Sequence, residues 1–63
     1  MTVYEFQKTI REDTMVSISN ERYGFIWAGK AKFISSAFLP SFYEQKVVSQ
    51  SVDKYGNVSI KVQ

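Results

Sequence analysis

Val16-Ser17-Ile18-Ser19-Asn20-Glu21-Arg22-Tyr23-Gly24-Phe25-Ile26-Trp27-Ala28 lines up, 32 residues later, with Val48-Ser49-Gln50-Ser51-Val52-Asp53-Lys54-Tyr55-Gly56-Asn57-Val58-Ser59-Ile60. Both stretches hold an acidic-basic-Tyr-Gly turn between two β-like runs. Val16 and Ile18 alternate with Ser17 and Ser19, the pattern of a half-buried strand. Gly24 and Gly56 supply the positive φ that a tight hairpin loop needs. A three-residue loop closing on such a glycine sets Val52 opposite Val58 and Val48 opposite Val62, so the apolar residues share one face. The same register in the first hairpin puts Val16, Ile18, Ile26 and Ala28 on the core face. Phe25 and Trp27 then point the other way, where the second hairpin has Asn57 and Ser59.

On either side of this echo the signals are shorter. Thr2 and Glu5 have capping-box spacing, and Val3, Phe6 and Ile10 follow on one helical face, which predicts a helix over residues 3–10. Its stripe is too small to persist unless it docks on something. Strands are expected at 15–20, 25–32, 46–52 and 57–62. Between the hairpins, Ser35 and Ser36 precede a short helical turn expected around Ala37–Tyr43, which Pro40 interrupts. The expectation is α+β: one domain, residues 1–63, with a short N-terminal helix on a four-stranded, mainly antiparallel sheet made of two hairpins.

The 63 residues include no Cys and no His. That removes disulfides, the usual zinc ligands and any Cys- or Ser-His nucleophile pair. Five Phe, four Tyr and one Trp offer aromatic packing instead. Eight basic residues stand against six acidic ones, a formal charge of +2, and they are scattered. This balance argues against a nucleic-acid footprint. No apolar run is long enough for a membrane span, and the N-terminus lacks the regions of a secretory signal, so the expected location is cytoplasmic.

No glycine pattern for a phosphate or dinucleotide is present, so no cofactor is expected. Glu12-Asp13 is the only adjacent acid pair, and it reads as a solvated connector. No catalytic or metal-binding residue is assigned. Phe25 and Trp27 form the candidate interaction patch, covered either by a partner, by a second copy, or by residues 33–43 folding back. Arg22, Tyr23, Lys54 and Tyr55 are candidate loop contacts, an aromatic beside a cation at each hairpin tip. The leading expectation is a non-catalytic protein-interaction module, with a protein partner or self-association. The alternative is a weak nucleic-acid binder using the Arg22/Tyr23 and Lys54/Tyr55 loops.

Met1-Thr2-Val3-Tyr4-Glu5-Phe6, Asp13-Thr14 before a strand, Gly29-Lys30-Ala31 after a hairpin, and Lys46-Val47-Val48 through Asp53-Lys54-Tyr55-Gly56-Asn57 to a terminal strand form a pattern covering most of the chain. It resembles small uncharacterised proteins of Gram-positive gut bacteria and their phages or mobile elements. The resemblance implies an origin in such an element and no known activity or site residues; in that setting the expected interaction module is an accessory protein.

Overall fold

The computed structural model describes residues 1–63. Helix α1 spans Val3–Thr9, strand β1 Met15–Asn20, β2 Gly24–Lys30, the short helix α2 Ile34–Ala37, β3 Val47–Val52 and β4 Val58–Val62. Two 3-10 turns, Ala31–Phe33 and Pro40–Glu44, flank α2. The strands form one sheet in the order β2-β1-β4-β3. β1–β2 and β3–β4 are the two expected hairpins, and β1 and β4 meet in the centre in parallel. The chain is α+β, with helices on one face of the sheet.

The helix forms where the capping box places it. Thr2 is extended (φ −90°, ψ 167°), its Oγ1 accepts the Glu5 N–H at 3.2 Å, and Glu5 Oε1 accepts the Thr2 N–H at 2.9 Å. Two otherwise orphaned donors are satisfied by two neighbouring side chains. One side of α1 buries Val3 and Phe6. These meet Val16 and Ile18 of β1, Val58, Ile60 and Val62 of β4, and Ala31 and Ile34 of the connection, in one core of nine buried residues. Gln7 Nε2 donates to the Ala31 carbonyl at 3.3 Å, tying the helix to the connection beside it.

The parallel centre dictates the path of that connection. β2 ends beside the start of β1, whereas β3 starts beside the end of β4 on the opposite edge. Residues 31–46 must therefore cross the sheet diagonally, and they do so over the inner face. Ala31 and Ile34 are buried there, and Phe38 and Phe42 pack against the core with their rings stacked at 4.0 Å. Ser35 and Ser36 lie inside α2 rather than before a later helical turn. Pro40 opens its own 3-10 turn instead of breaking one, since the first helical position needs no N–H and Pro presets its φ.

The main correction concerns the faces of the first hairpin. Gly24 and Gly56 do have positive φ, 91° and 84°. In β1–β2, Asn20 pairs with Gly24 and Ser19 with Phe25, but Ile18 then pairs with Trp27. Ile26 is an extra residue, a β-bulge. Without it Ile18 would face Ile26, and the expected faces would hold. With it, Trp27 takes the core face beside Ile18, while Ile26 and Ala28 are exposed. A bulge inserts one residue and so reverses every side chain beyond it relative to an unbroken register. Trp27 then meets Phe38 edge-on at 5.8 Å and lies over Gly29, whose missing side chain makes room for the indole. A second irregularity, between Val47 and Ser49, makes Val62 face Val47 rather than Val48; Val52 faces Val58 as expected.

Candidate binding face

All helical segments that reach the core do so on the inner face of the sheet, so the outer face stays open. Its residues follow from the registers. Ala28, Ser17, Ser59 and Ser51 form a row of small side chains across all four strands, and Phe25, Ser19, Lys61 and Ser49 form the next row. Met15 and Lys30 pair at the far end of β1–β2. Phe25 is 70% exposed and Met15 45%. A hollow of about 180 Å³ opens beside the small row, lined by Met15, Ser17, Ala28, Asn57 and Ser59 among others. Lys30 and Lys61 are the only charged residues in any strand, and no strand carries an acid. The face is thus a shallow, weakly basic shelf with an aromatic knob at one corner.

Phe25 and Trp27 do not make one patch. Phe25 faces outward, as its alternation predicts, and nothing in the chain covers it. Trp27 faces inward and is half-buried, covered from the 33–43 segment by Phe38. Of the three alternative covers, residues 33–43 do fold back, but over the inner face, where they meet Trp27 and leave Phe25 bare.

The two Tyr-Gly loops lie at opposite ends of the sheet, because β1 and β4 run parallel and their hairpin loops sit at opposite ends of them. The five-residue seam between them is about 16 Å long. Each loop is built around an Asx side chain. Asn20 Oδ1 accepts the N–H groups of Arg22 and Tyr23 at 2.7 and 2.9 Å, and Asp53 Oδ1 accepts those of Tyr55 and Asn57 at 2.8 and 3.0 Å. Desolvation opposes ionisation of Asp53, but the N–H groups of Asn57 and Tyr55, the Asn57 amide and the Gly56 N–H outweigh it and hold the carboxyl below its ordinary value. Arg22 and Lys54 each lie over the ring of the following tyrosine, at 6.0 and 5.1 Å. An open hollow of about 500 Å³ adjoins the first loop, between Asn20–Tyr23 and Gln63. Each loop therefore presents one cation–tyrosine pair on its own, and the four residues share no surface.

Glu12 and Asp13 are exposed in the α1–β1 turn, where Asp13 pairs with Lys32 at 3.3 Å and the Glu12 carbonyl accepts the Lys32 N–H at 2.9 Å. They hold the turn against the start of the connection.

Comparison with protein-family models, with curated proteins and with solved structures returns no match. No helix is long and apolar enough to cross a membrane.

Sequence reasoning missed the shelf. Ser17 and Ser59 become neighbours only through the β1–β4 pairing, which links residues far apart in the chain. A signal was present in the serines at solvent-facing alternate positions, Ser17 and Ser19, Ser49 and Ser51, and Ser59.

Proposed function

We propose that this chain is a non-catalytic protein-interaction module that docks its partner on the outer face of the sheet. The observation that carries the reading is the open face itself, with Phe25 70% exposed at its corner. Burying an exposed Phe side chain contributes roughly 1.5–3 kcal/mol, and aromatic anchors dominate protein interfaces. The partner surface is acidic around an apolar notch, complementing Lys30 and Lys61 and receiving Phe25. A second copy is a poor occupant of this face. Lys61 lies on a central strand, and two such faces would bury unpaired like charges. The sequence resemblance alone supports the setting, an accessory protein of a phage or mobile element.

The second reading is single-stranded nucleic acid, favoured by the acid-free, lysine-bearing face. One exposed aromatic on that face is a meagre stacking platform, and the tyrosine loops are too far apart to extend it. Affinity capture from the source cell separates the readings. Phe25→Ser and Lys61→Glu should each reduce recovery of a protein partner at least roughly tenfold, the effect of about 1.4 kcal/mol, with the fold intact by circular dichroism. Nuclease treatment should leave the capture unchanged. Capture indifferent to both substitutions, or lost on nuclease treatment or with Arg22→Ser/Lys54→Ser, would refute the docking face.

A further inference from the structure

β3 forms one edge of the sheet, and its backbone groups point alternately toward β4 and away from it. The Gln63 N–H donates to the Lys46 carbonyl at 3.0 Å, which makes Val47↔Val62 a pair whose own N–H and C=O groups point away from each other. The outward Val47 N–H is taken by the Met1 carbonyl at 2.7 Å, and the Val3 N–H donates to the Gln45 carbonyl at 2.9 Å. These two bonds make Thr2↔Lys46 an antiparallel bridge, so the molecule already lays one extended segment along this edge. At the other end the Asp53 N–H donates to the Asn57 carbonyl at 3.0 Å, which makes Val52↔Val58 a second pair of the outward kind. Alternation assigns Gln50↔Ile60 to the same class. The N–H and C=O groups of Gln50 and Val52 therefore point off the sheet, and nothing in the chain meets them.

This window is uncharged from Val47 to Val52, and Val52 is 60% exposed. The other edge is blunted by the mid-strand bulge at Ile26 and by Lys30, two common guards against strand addition. We infer that the β3 edge pairs antiparallel with the same edge of a second copy, about a twofold axis through Ser51. In that register Gln50 faces Val52 of the second copy, and the reverse holds across the axis. All four outward N–H groups of the two copies then find outward carbonyls. An axis through Gln50 or through Val52 would match only one of the two residues in each copy. The strand opposes itself without a like-charge pair, and a twofold contact of this kind closes on itself. The window ends where Met1 occupies Val47 and where the chain turns away at Asp53. The contact runs along the sheet edge and leaves the outer face open, with Ser51 alone common to both, so either proposal stands without the other.

Analytical ultracentrifugation over a wide concentration series tests the inference. The parent should rise from the 7.3 kDa monomer to twice that mass. Ser51 lies on the outer face and is exposed, so Ser51→Lys and Ser51→Glu should fold normally. Each alone should stay monomeric, since like charges meet across the axis. An equimolar mixture of the two should return to the doubled mass. Gln50→Pro removes an N–H that faces away from β4, so it should keep the hairpin by circular dichroism and abolish the dimer. A parent that stays at 7.3 kDa overturns the inference. So does a lysine–glutamate mixture that fails to associate, or a dimer that survives Ser51→Lys and Gln50→Pro but is lost with Phe25→Ser.

Discussion

Gly29→Ala discriminates the observed register from the one an unbroken hairpin would have. A methyl group at Gly29 would stand 2.7 Å from Trp27 Cζ2 and 3.0 Å from Cη2. Real side chains do not tolerate such a distance, so the indole must move. The movement separates it from Phe38, an edge-to-face contact worth about 0.5–1.5 kcal/mol. Overpacking of this kind costs about 1–3 kcal/mol in all. A domain of this size has a stability of roughly 3–9 kcal/mol, so the loss is a large fraction of the total. The melting temperature should fall by roughly 4–8 °C for each kilocalorie. Trp27 is the only tryptophan, so its fluorescence reports the displacement directly as a shift of the emission maximum to the red. The sign of the stability change is what matters. Gly29 lies in β2 and is not a positive-φ glycine, and were Trp27 elsewhere, Gly29→Ala would stabilise by about 0.4–1 kcal/mol through the unfolded chain. A variant that melts at or above the parent temperature with unshifted emission would show that Trp27 does not lie over Gly29, and the bulge at Ile26 would go with it.

Thr2→Ala removes the side-chain half of the capping box and leaves the backbone bridge to Lys46, so it should cost on the order of 1 kcal/mol in a thermal melt; coincident melts would place the helix start elsewhere. Gly56→Val should cost at least about 1–2 kcal/mol from backbone conformation alone, because a side chain there meets nothing within 4 Å and the penalty lies entirely in its φ of +84°; Gly56→Asn should lose clearly less in the same denaturant titration. The pH dependence follows from Glu5 and Asp53. The Thr2 backbone N–H, then its hydroxyl, lowers the Glu5 pKa, and the loop donors lower that of Asp53. Both groups therefore bind protons more weakly in the folded chain. Their contribution is complete above the unfolded carboxylate value of about 4 and is lost as pH falls through the depressed native values. Stability measured down this acid limb should fall less steeply in Glu5→Gln and Asp53→Asn than in the parent, and an unchanged slope would show that these carboxyls titrate alike in both states.

Most of what the sequence made legible is local. Thr2 and Glu5 declare a helix start within four residues, and the alternation of Val16/Ile18 and of Val58, Ile60 and Val62 marks one buried face on each central strand. The hairpin glycines announce their own φ. The bulge at Ile26 left no comparable mark. Its benefit comes from Phe38 and Gly29, one distant in sequence and the other informative only by lacking a side chain, and periodicity counts neither. The shared acidic-basic-Tyr-Gly turn even misled, since the correct φ at Gly24 left the face of Trp27 undetermined. The order of strands was hidden for the same reason. Nothing in Ser17 or Ser59 says that they are neighbours, and so the binding shelf became visible only once the sheet was assembled.

The parallel seam between β1 and β4 also sets the order of assembly. Val16 pairs with Val58, a separation of 42 residues, whereas each hairpin closes over a loop of only a few. Closing the longer loop costs more chain entropy before any contact rewards it. The hairpins are thus local units that fluctuate early, and their side-by-side docking, with the crossing segment laid over the inner face, is the late and cooperative event. The kinetic barrier to folding should therefore lie at the meeting of Ile18 with Ile60. Weakening that contact should slow refolding, while loosening either loop should mainly hasten unfolding.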